Sequence, residues 1–356
     1  MEERSIAQDF GRFQSLFPLQ RVHLPRSGLE WRCYQVVPGG GRSACRGVGS
    51  GGSDVVVFLH GASATAGAFF YQVEALAQKG YSVVSAQYPA YYTVDEWCKG
   101  FDHFLDAMKC RAAHLFGAGI GGFLAQHFAE RRPQRVRSLM LCNAFATTAL
   151  FAAKAGSFGA MLHVTPTPVL RRIMLDSFPQ GGMALHAKQA IDWVALQVTE
   201  LSGDDLAARL SLNCVASNAG SNLHLEQARI TILESSGETT VAEEVRRDLR
   251  QRYPYARLAE LKADGDFPYL SQPEEVTLFV EVHLRSVGVF GRGFEVSSPA
   301  LEETAARLST PAESQRESTS AGPIWNDMPM FDAPAARPRP ERRGKWRNPF
   351  KDDPLL

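Results

Sequence analysis

The stretch His114-Leu115-Phe116-Gly117-Ala118-Gly119-Ile120-Gly121-Gly122-Phe123-Leu124-Ala125-Gln126 decides the fold. A short apolar run enters a glycine cluster, and the cluster leads directly into apolar residues at helical spacing that continue to Arg131; Pro133 then lies where a helix must stop. Strand, tight turn and helix therefore follow one another without a linker. Two motifs fit this pattern. One is the G-x-S-x-G elbow, in which small flanking residues allow a strained strand-to-helix turn to point its apex residue outward. The other is the dinucleotide fingerprint G-x-G-x-x-G, matched by Gly117, Gly119 and Gly122.

Context separates the two. A dinucleotide fingerprint follows the first strand of its domain and needs an acidic ribose ligand about twenty residues further on. Here Val55–Leu59 and residues 81–86 already read as strands upstream, and the next strand ends at Cys142-Asn143-Ala144 without a carboxylate. The segment Val57-Phe58-Leu59-His60-Gly61-Ala62 reads as a strand delivering an H-G turn, which supplies one backbone N–H of an oxyanion hole. The second N–H belongs to the residue after the apex, Ile120. The pattern is that of an α/β-hydrolase fold.

Working outward, the strand-like runs are Val55–Leu59, 81–86, 114–116, Val136–Cys142 and 229–233, and helical spacing covers 69–79, 96–108 and 122–131. This alternation predicts an α/β architecture with a mostly parallel sheet, helices on both faces and a helix after each strand. Residues 147–223, helical in pattern and carrying Pro166 and Pro168, predict a helical cap over the carboxyl edge of the sheet. The Gly/Ser-rich residues 39–53 predict a flexible surface loop within a hydrolase domain spanning 1–290. A short helix over 302–308 is expected in the remainder, 291–356, whose Pro, Ser, Arg and Gly content otherwise predicts a mostly disordered tail.

The 356 residues are 45% hydrophobic, enough for one large core, and the formal net charge is zero, so no basic field draws the chain to nucleic acid. The six cysteines form no C-x-x-C pair and read as reduced thiols. Met1 to Phe13 lacks the basic start and apolar stretch of a secretory leader, which predicts a cytoplasmic protein.

At the elbow, Gly119 holds the nucleophile position, and glycine has no group with which to attack a carbonyl. The base position falls in Asp264-Gly265-Asp266-Phe267-Pro268-Tyr269, which puts Asp266 where a histidine would act. The acid position falls in Glu234-Ser235-Ser236-Gly237-Glu238, with Glu234 or Glu238 as the carboxylate. His60, Gly61, Ala62 and Ile120 would then be a vestigial oxyanion site. His114, His127, His163, His186 and His283 lie in strand or helix patterns and read as structural. Ser63 lies near the mouth without an identifiable base. No residue spacing indicates a metal, and no cofactor is expected.

The chain also resembles the maspardin family of non-catalytic α/β-hydrolase-fold proteins. The resemblance rests on Ala86-Gln87-Tyr88-Pro89 with Tyr91, Glu96-Trp97-Cys98-Lys99-Gly100-Phe101, Gly121-Gly122-Phe123-Leu124-Ala125-Gln126, Leu141-Cys142-Asn143-Ala144-Phe145, Arg209-Leu210-Ser211-Leu212-Asn213-Cys214 and Phe267-Pro268-Tyr269-Leu270. The family keeps serine at the elbow and has asparagine at the base position, so Gly119 and Asp266 depart further from a working triad. The resemblance implies a cytosolic protein that binds other proteins and associates peripherally with endosomal and trans-Golgi membranes.

Outside that resemblance, Asn348-Pro349-Phe350 matches the tripeptide bound by EH domains, and Asp352 to Leu356, with Leu355 and Leu356 last, reads as a D-x-x-L-L signal of clathrin adaptors. The expected function is a protein-binding scaffold in membrane traffic. A small-molecule receptor using the capped pocket is the alternative, followed by a hydrolase using Ser63 or a water held between Asp266 and Glu238.

Overall fold

The computed structural model describes residues 5–37, 54–179, 183–237, 239–262 and 265–291. The loop 39–53, Glu238, the helix expected over 302–308 and the tail motifs at Asn348, Pro349, Phe350, Asp352, Leu355 and Leu356 lie outside the described residues.

Eight strands form one sheet: β1 (Gln20–His23), β2 (Glu30–Val36), β3 (Val55–Leu59), β4 (Ser82–Gln87), β5 (Ala113–Ala118), β6 (Val136–Cys142), β7 (Ile230–Ser235) and β8 (Arg257–Leu261), in the order β1-β2-β4-β3-β5-β6-β7-β8. From β4 to β8 every pairing is parallel, while β1 and β2 run antiparallel to their neighbours. Every side chain of β3, β5 and β7 is buried, as expected of central strands covered on both faces. Sequence periodicity names these strands and misses β1, β2 and β8, which are polar, short or exposed at the sheet margins. The expected helix after each strand also fails at β1, which joins β2 antiparallel with no helix between.

The helices are α1 (Ile6–Leu16), α2 (Phe70–Gln78), α3 (Val94–Ala107), α4 (Ile120–Arg131), α5 (Ala149–Ala155), α6 (Thr167–Asp176), α7 (Leu185–Thr199), α8 (Gly203–Cys214), α9 (Glu243–Arg252), α10 (Pro268–Ser271) and α11 (Pro273–Ser286). Thr93 and Glu96 form a reciprocal capping box that starts α3, satisfying two backbone donors. Its buried residues Trp97, Phe101 and Phe104 share one face and pack on Trp31 of β2, with Phe104 stacked at 4.6 Å. A second apolar layer on the opposite face of the sheet joins Phe58, Phe69 and Phe116 to α11 and to cap side chains. The cap itself, α5 to α8 with a 3-10 stretch Gly156–Val164, is inserted between β6 and β7 as expected.

Candidate functional site

β5 ends at Ala118 and α4 begins at Ile120, so Gly119 alone makes the turn, with φ +52° and ψ −122°. Its N–H donates to the Cys142 carbonyl at 3.0 Å, and its carbonyl accepts from Gly122 N–H at 3.0 Å. The flanking glycines are fixed by packing. A Cβ on Gly117 would lie 2.4 Å from Gly122 Cα, and one on Gly121 would lie 2.3 Å from the Leu59 carbonyl oxygen. At Gly119 the nearest atom to such a Cβ is Gly61 Cα, at 3.9 Å. The apex thus has room for a side chain and carries none. Only its left-handed backbone, costly for other residues, favours glycine there.

β3 delivers the facing turn, His60-Gly61-Ala62. His60 is fully buried and stacks on Tyr88 at 4.4 Å. Its Nδ1 lies 2.8 Å from the Gly61 carbonyl oxygen, which can only accept, so Nδ1 carries the proton. Burial, reinforced by the Arg209 charge, holds the His60 pKa well below the ordinary imidazole value and keeps the ring neutral. Arg209, on α8, is itself buried; its Nη1 donates to the Ala62 and Ala64 carbonyls at 3.0 and 2.8 Å, and its guanidinium sits 5.5 Å from the Tyr88 ring centre. This cation clamps the cap onto the turn that follows β3. Among the described residues no protein acceptor engages the Ala62 or Ile120 N–H. Ser63 is buried, with no hydrogen bond to a histidine among the described residues.

Asp266 does occupy the loop after β8, but its Oδ1 accepts the Thr240 N–H at 2.9 Å. The residue keeps a little exposure, yet desolvation of its carboxyl pushes the pKa up to about 6 against that hydrogen bond and the pull of Arg246. Glu234 pairs through one carboxylate oxygen with Arg250 on α9 at 2.5 Å. Asn143, at φ +43°, ties the three strand ends together: its amide donates to Ser235 Oγ at 3.0 Å and to the Gly265 carbonyl at 3.4 Å, and its Oδ1 accepts Ser235 N–H at 2.9 Å. The cap also meets the base loop, through Phe178 against Phe267 at 5.7 Å. Sequence reasoning named Gly119, Asp266 and the His60-Gly61-Ala62 turn, and the structure places them at the ends of β5, β8 and β3. That reasoning did not assign Arg209, Tyr88 or Asn143 to the site; an arginine on the apolar face formed by Leu206 and Leu210 was the available signal.

Two serine–histidine–acid groupings occur elsewhere among the described residues. Ser138 Oγ lies 2.7 Å from His114 Nδ1 and 2.8 Å from His283 Nε2, with Asp54 3.6 Å from His114 Nε2. Ser138 is fully buried in β6, where no substrate carbonyl can reach it. Ser217 Oγ lies 3.0 Å from His127 Nε2, with Glu130 3.4 Å from Nδ1. Arg131 Nη1 is closer to that Nδ1, at 2.9 Å, and can only donate. Nε2 must then carry the proton and donate to Ser217, which is the wrong tautomer for a general base.

Burial pushes Cys98 up to about 12 and Cys110 and Cys214 up to about 11, so these thiols stay protonated at neutral pH. Among the described residues no cluster of His, Cys, Asp and Glu has metal-binding geometry, and no helix is long and apolar enough to cross a membrane.

Residues 56–277 match the alpha/beta hydrolase family. The chain is 35% identical to maspardin of Danio rerio over 329 residues, covering 89% of this chain and 100% of that protein. It is also 35% identical to maspardin of Homo sapiens over 289 residues, covering 80% and 89% respectively. A solved thermophilic esterase from Thermogutta terrifontis shares the fold, with TM-score 0.59 at 14% identity over 76% of this chain and 98% of that one.

Proposed function

This chain belongs to the maspardin family of α/β-hydrolase-fold proteins, and we propose that it is a non-catalytic, protein-binding adaptor working on the cytosolic face of endosomal and trans-Golgi membranes. The observation that carries the non-catalytic part is the elbow: Gly119 presents no side chain, although 3.9 Å of clearance would admit one. The base position supports it, since Asp266 is engaged by Thr240 and a carboxylate cannot relay a serine proton as imidazole does. Nothing in this arrangement needs a cofactor or metal. The tail sequences Asn348-Pro349-Phe350 and Asp352 to Leu356 are the proposed contacts for EH-domain and clathrin-adaptor partners, and the basic residues before them favour an anionic leaflet. Affinity capture with the full chain, beside Phe350→Ala and Leu355→Ala/Leu356→Ala variants, tests this. Partners lost with the substitutions support the reading, and an absence of both partners and membrane binding refutes it.

One observation favours a second reading, a small-molecule receptor. The Ala62 and Ile120 N–H groups remain unengaged beneath a cap that Arg209 holds in place. A receptor of this kind would show a ligand-induced rise in melting temperature without turnover.

A further inference from the structure

Positive potential collects at the elbow from three sources. The first is the pair of N–H groups of Ala62 and Ile120, which no protein acceptor among the described residues engages. The second is the amino end of α4, a 12-residue helix that starts at Ile120, so its aligned peptide dipoles terminate at that N–H. The third is Arg209. The residue is 1% exposed, and its Nη1 reaches the Ala62 carbonyl at 3.0 Å, which sets a full charge beside the residue that offers the first N–H.

The fold does not neutralise this charge. Arg209 Nε and Nη2 are buried without a hydrogen-bond partner, and no carboxylate among the described residues pairs with the side chain. Asp205, one turn earlier on α8, is near enough for its charge to be felt, but its carboxylate accepts from the Ser202 hydroxyl at 2.7 Å. Asp266, the acid of the loop after β8, is held by the Thr240 N–H and pulled by Arg246. The Tyr88 ring, 5.5 Å from the guanidinium, offers Arg209 only its π face. A buried cation without an anion is costly to fold around.

Solvent reaches the same point. Gly61, Ala62 and Gly119 keep partial exposure, whereas Leu59, His60, Ala118 and Ile120 around them are buried. A Cβ at the apex would stand 3.9 Å from Gly61 Cα, and glycine leaves even that volume open to a guest.

We propose that the elbow is a binding site for a small organic carboxylate, held by the Ala62 and Ile120 N–H groups and balanced by the Arg209 charge. A carboxylate has two oxygens with which to accept from both N–H groups, and it carries the single charge that the buried guanidinium lacks. A phosphate monoester would bring further negative charge with no second buried cation at this turn to meet it. The inference rests on the receptor reading above and names the chemical class of its ligand.

The test titrates the full chain with butanoate, hexanoate and octanoate, with the primary amide of each, and with hexyl phosphate. Calorimetry gives the affinities, and backbone amide NMR signals of Ala62 and Ile120 report the place of binding. The natural protein is compared with Arg209→Gln, which removes the charge, and with Arg209→Lys, which keeps it. The expected result is a carboxylate bound roughly tenfold or more tightly than its amide, with both amide signals displaced. That preference should vanish in Arg209→Gln and persist in Arg209→Lys. Should Arg209→Gln fail to fold, the carboxylate-to-amide ratio and the displaced signals of the natural protein decide alone. Equal affinity for carboxylate and amide, or tighter binding of hexyl phosphate, overturns the inference and leaves the receptor reading standing. Carboxylate binding that leaves the Ala62 and Ile120 signals in place, or a preference that survives in folded Arg209→Gln, overturns it as well. A protein that binds none of these compounds overturns the receptor reading and the inference together.

Discussion

Asp266→Asn changes one proton-binding group and almost nothing else, since Asn Oδ1 retains an acceptor for the Thr240 N–H that now lies 2.9 Å from the carboxylate. Burial raises the carboxyl from its ordinary 3.8 to about 6 in the folded protein. A carboxyl whose folded pKa lies above its unfolded value holds its proton more tightly when folded. The penalty for ionising it is therefore absent below about pH 4, grows as pH rises, and is complete above about pH 6. A shift of about two pKa units corresponds to about 3 kcal/mol, and solvent still reaching the residue brings the usable figure to about 2 kcal/mol. Asp266→Asn should therefore stabilise the chain by about 2 kcal/mol at pH 7.5 and by close to nothing at pH 4, where the natural carboxyl is protonated. Urea unfolding of both proteins at the two pH values measures the difference. An equal gain at both pH values would show that packing, not ionisation, is responsible; a loss at pH 7.5 would show that Thr240 needs the full charge and would refute the desolvation argument.

Three further outcomes follow from the same geometry. Gly119→Ser should cost only about 1 kcal/mol, the expense of a left-handed backbone, whereas Gly121→Ala should cost about 3 kcal/mol or prevent folding, because its Cβ meets the Leu59 carbonyl oxygen at 2.3 Å; comparable melting temperatures for the two would contradict the packing account. His114 and His283, held down to about 4 and about 3 chiefly by burial, contribute stability that is complete above the unfolded imidazole value and lost as pH falls through that value toward 3. In the Asp266→Asn background, unfolding free energy should drop by about 2 kcal/mol per imidazole between pH 7 and pH 5, and a flat profile would mean that these rings are not desolvated. Arg209→Lys should loosen the cap, since one ammonium cannot reproduce the guanidinium contacts with the Ala62 and Ala64 carbonyls and Tyr88; faster proteolysis within residues 147–223 is the expected readout, and unchanged proteolysis would remove Arg209 from its role as the clamp.

The central sheet was legible because β3, β5 and β7 are buried at every position and read as uninterrupted apolar runs. β8 was not, since Arg257, Leu258 and Glu260 face solvent at the margin and carry neither alternation nor a continuous apolar run. The elbow was legible for a different reason: Gly117 and Gly122 approach each other across one tight turn, a constraint written locally, whereas the clash that fixes Gly121 is with the Leu59 carbonyl oxygen of the neighbouring strand β3. The partners of the site are not local. Thr240 reaches Asp266 across two loops, Asn143 joins three strand ends, and Arg209 reaches the turn at Ala62 from a helix almost 150 residues away. Such contacts are created by the fold and leave only a trace in sequence, such as a charged residue on an apolar helix face.

The most direct test of the account is ester hydrolysis across a range of acyl-chain lengths, comparing the natural protein with Gly119→Ser and with Gly119→Ser/Asp266→His. The natural protein should show no turnover, and measurable turnover should appear once a nucleophile and an imidazole stand in a turn whose Ala62 and Ile120 N–H groups are still unengaged. Turnover by the natural protein that survives rigorous purification would contradict the claim that this fold has given up catalysis.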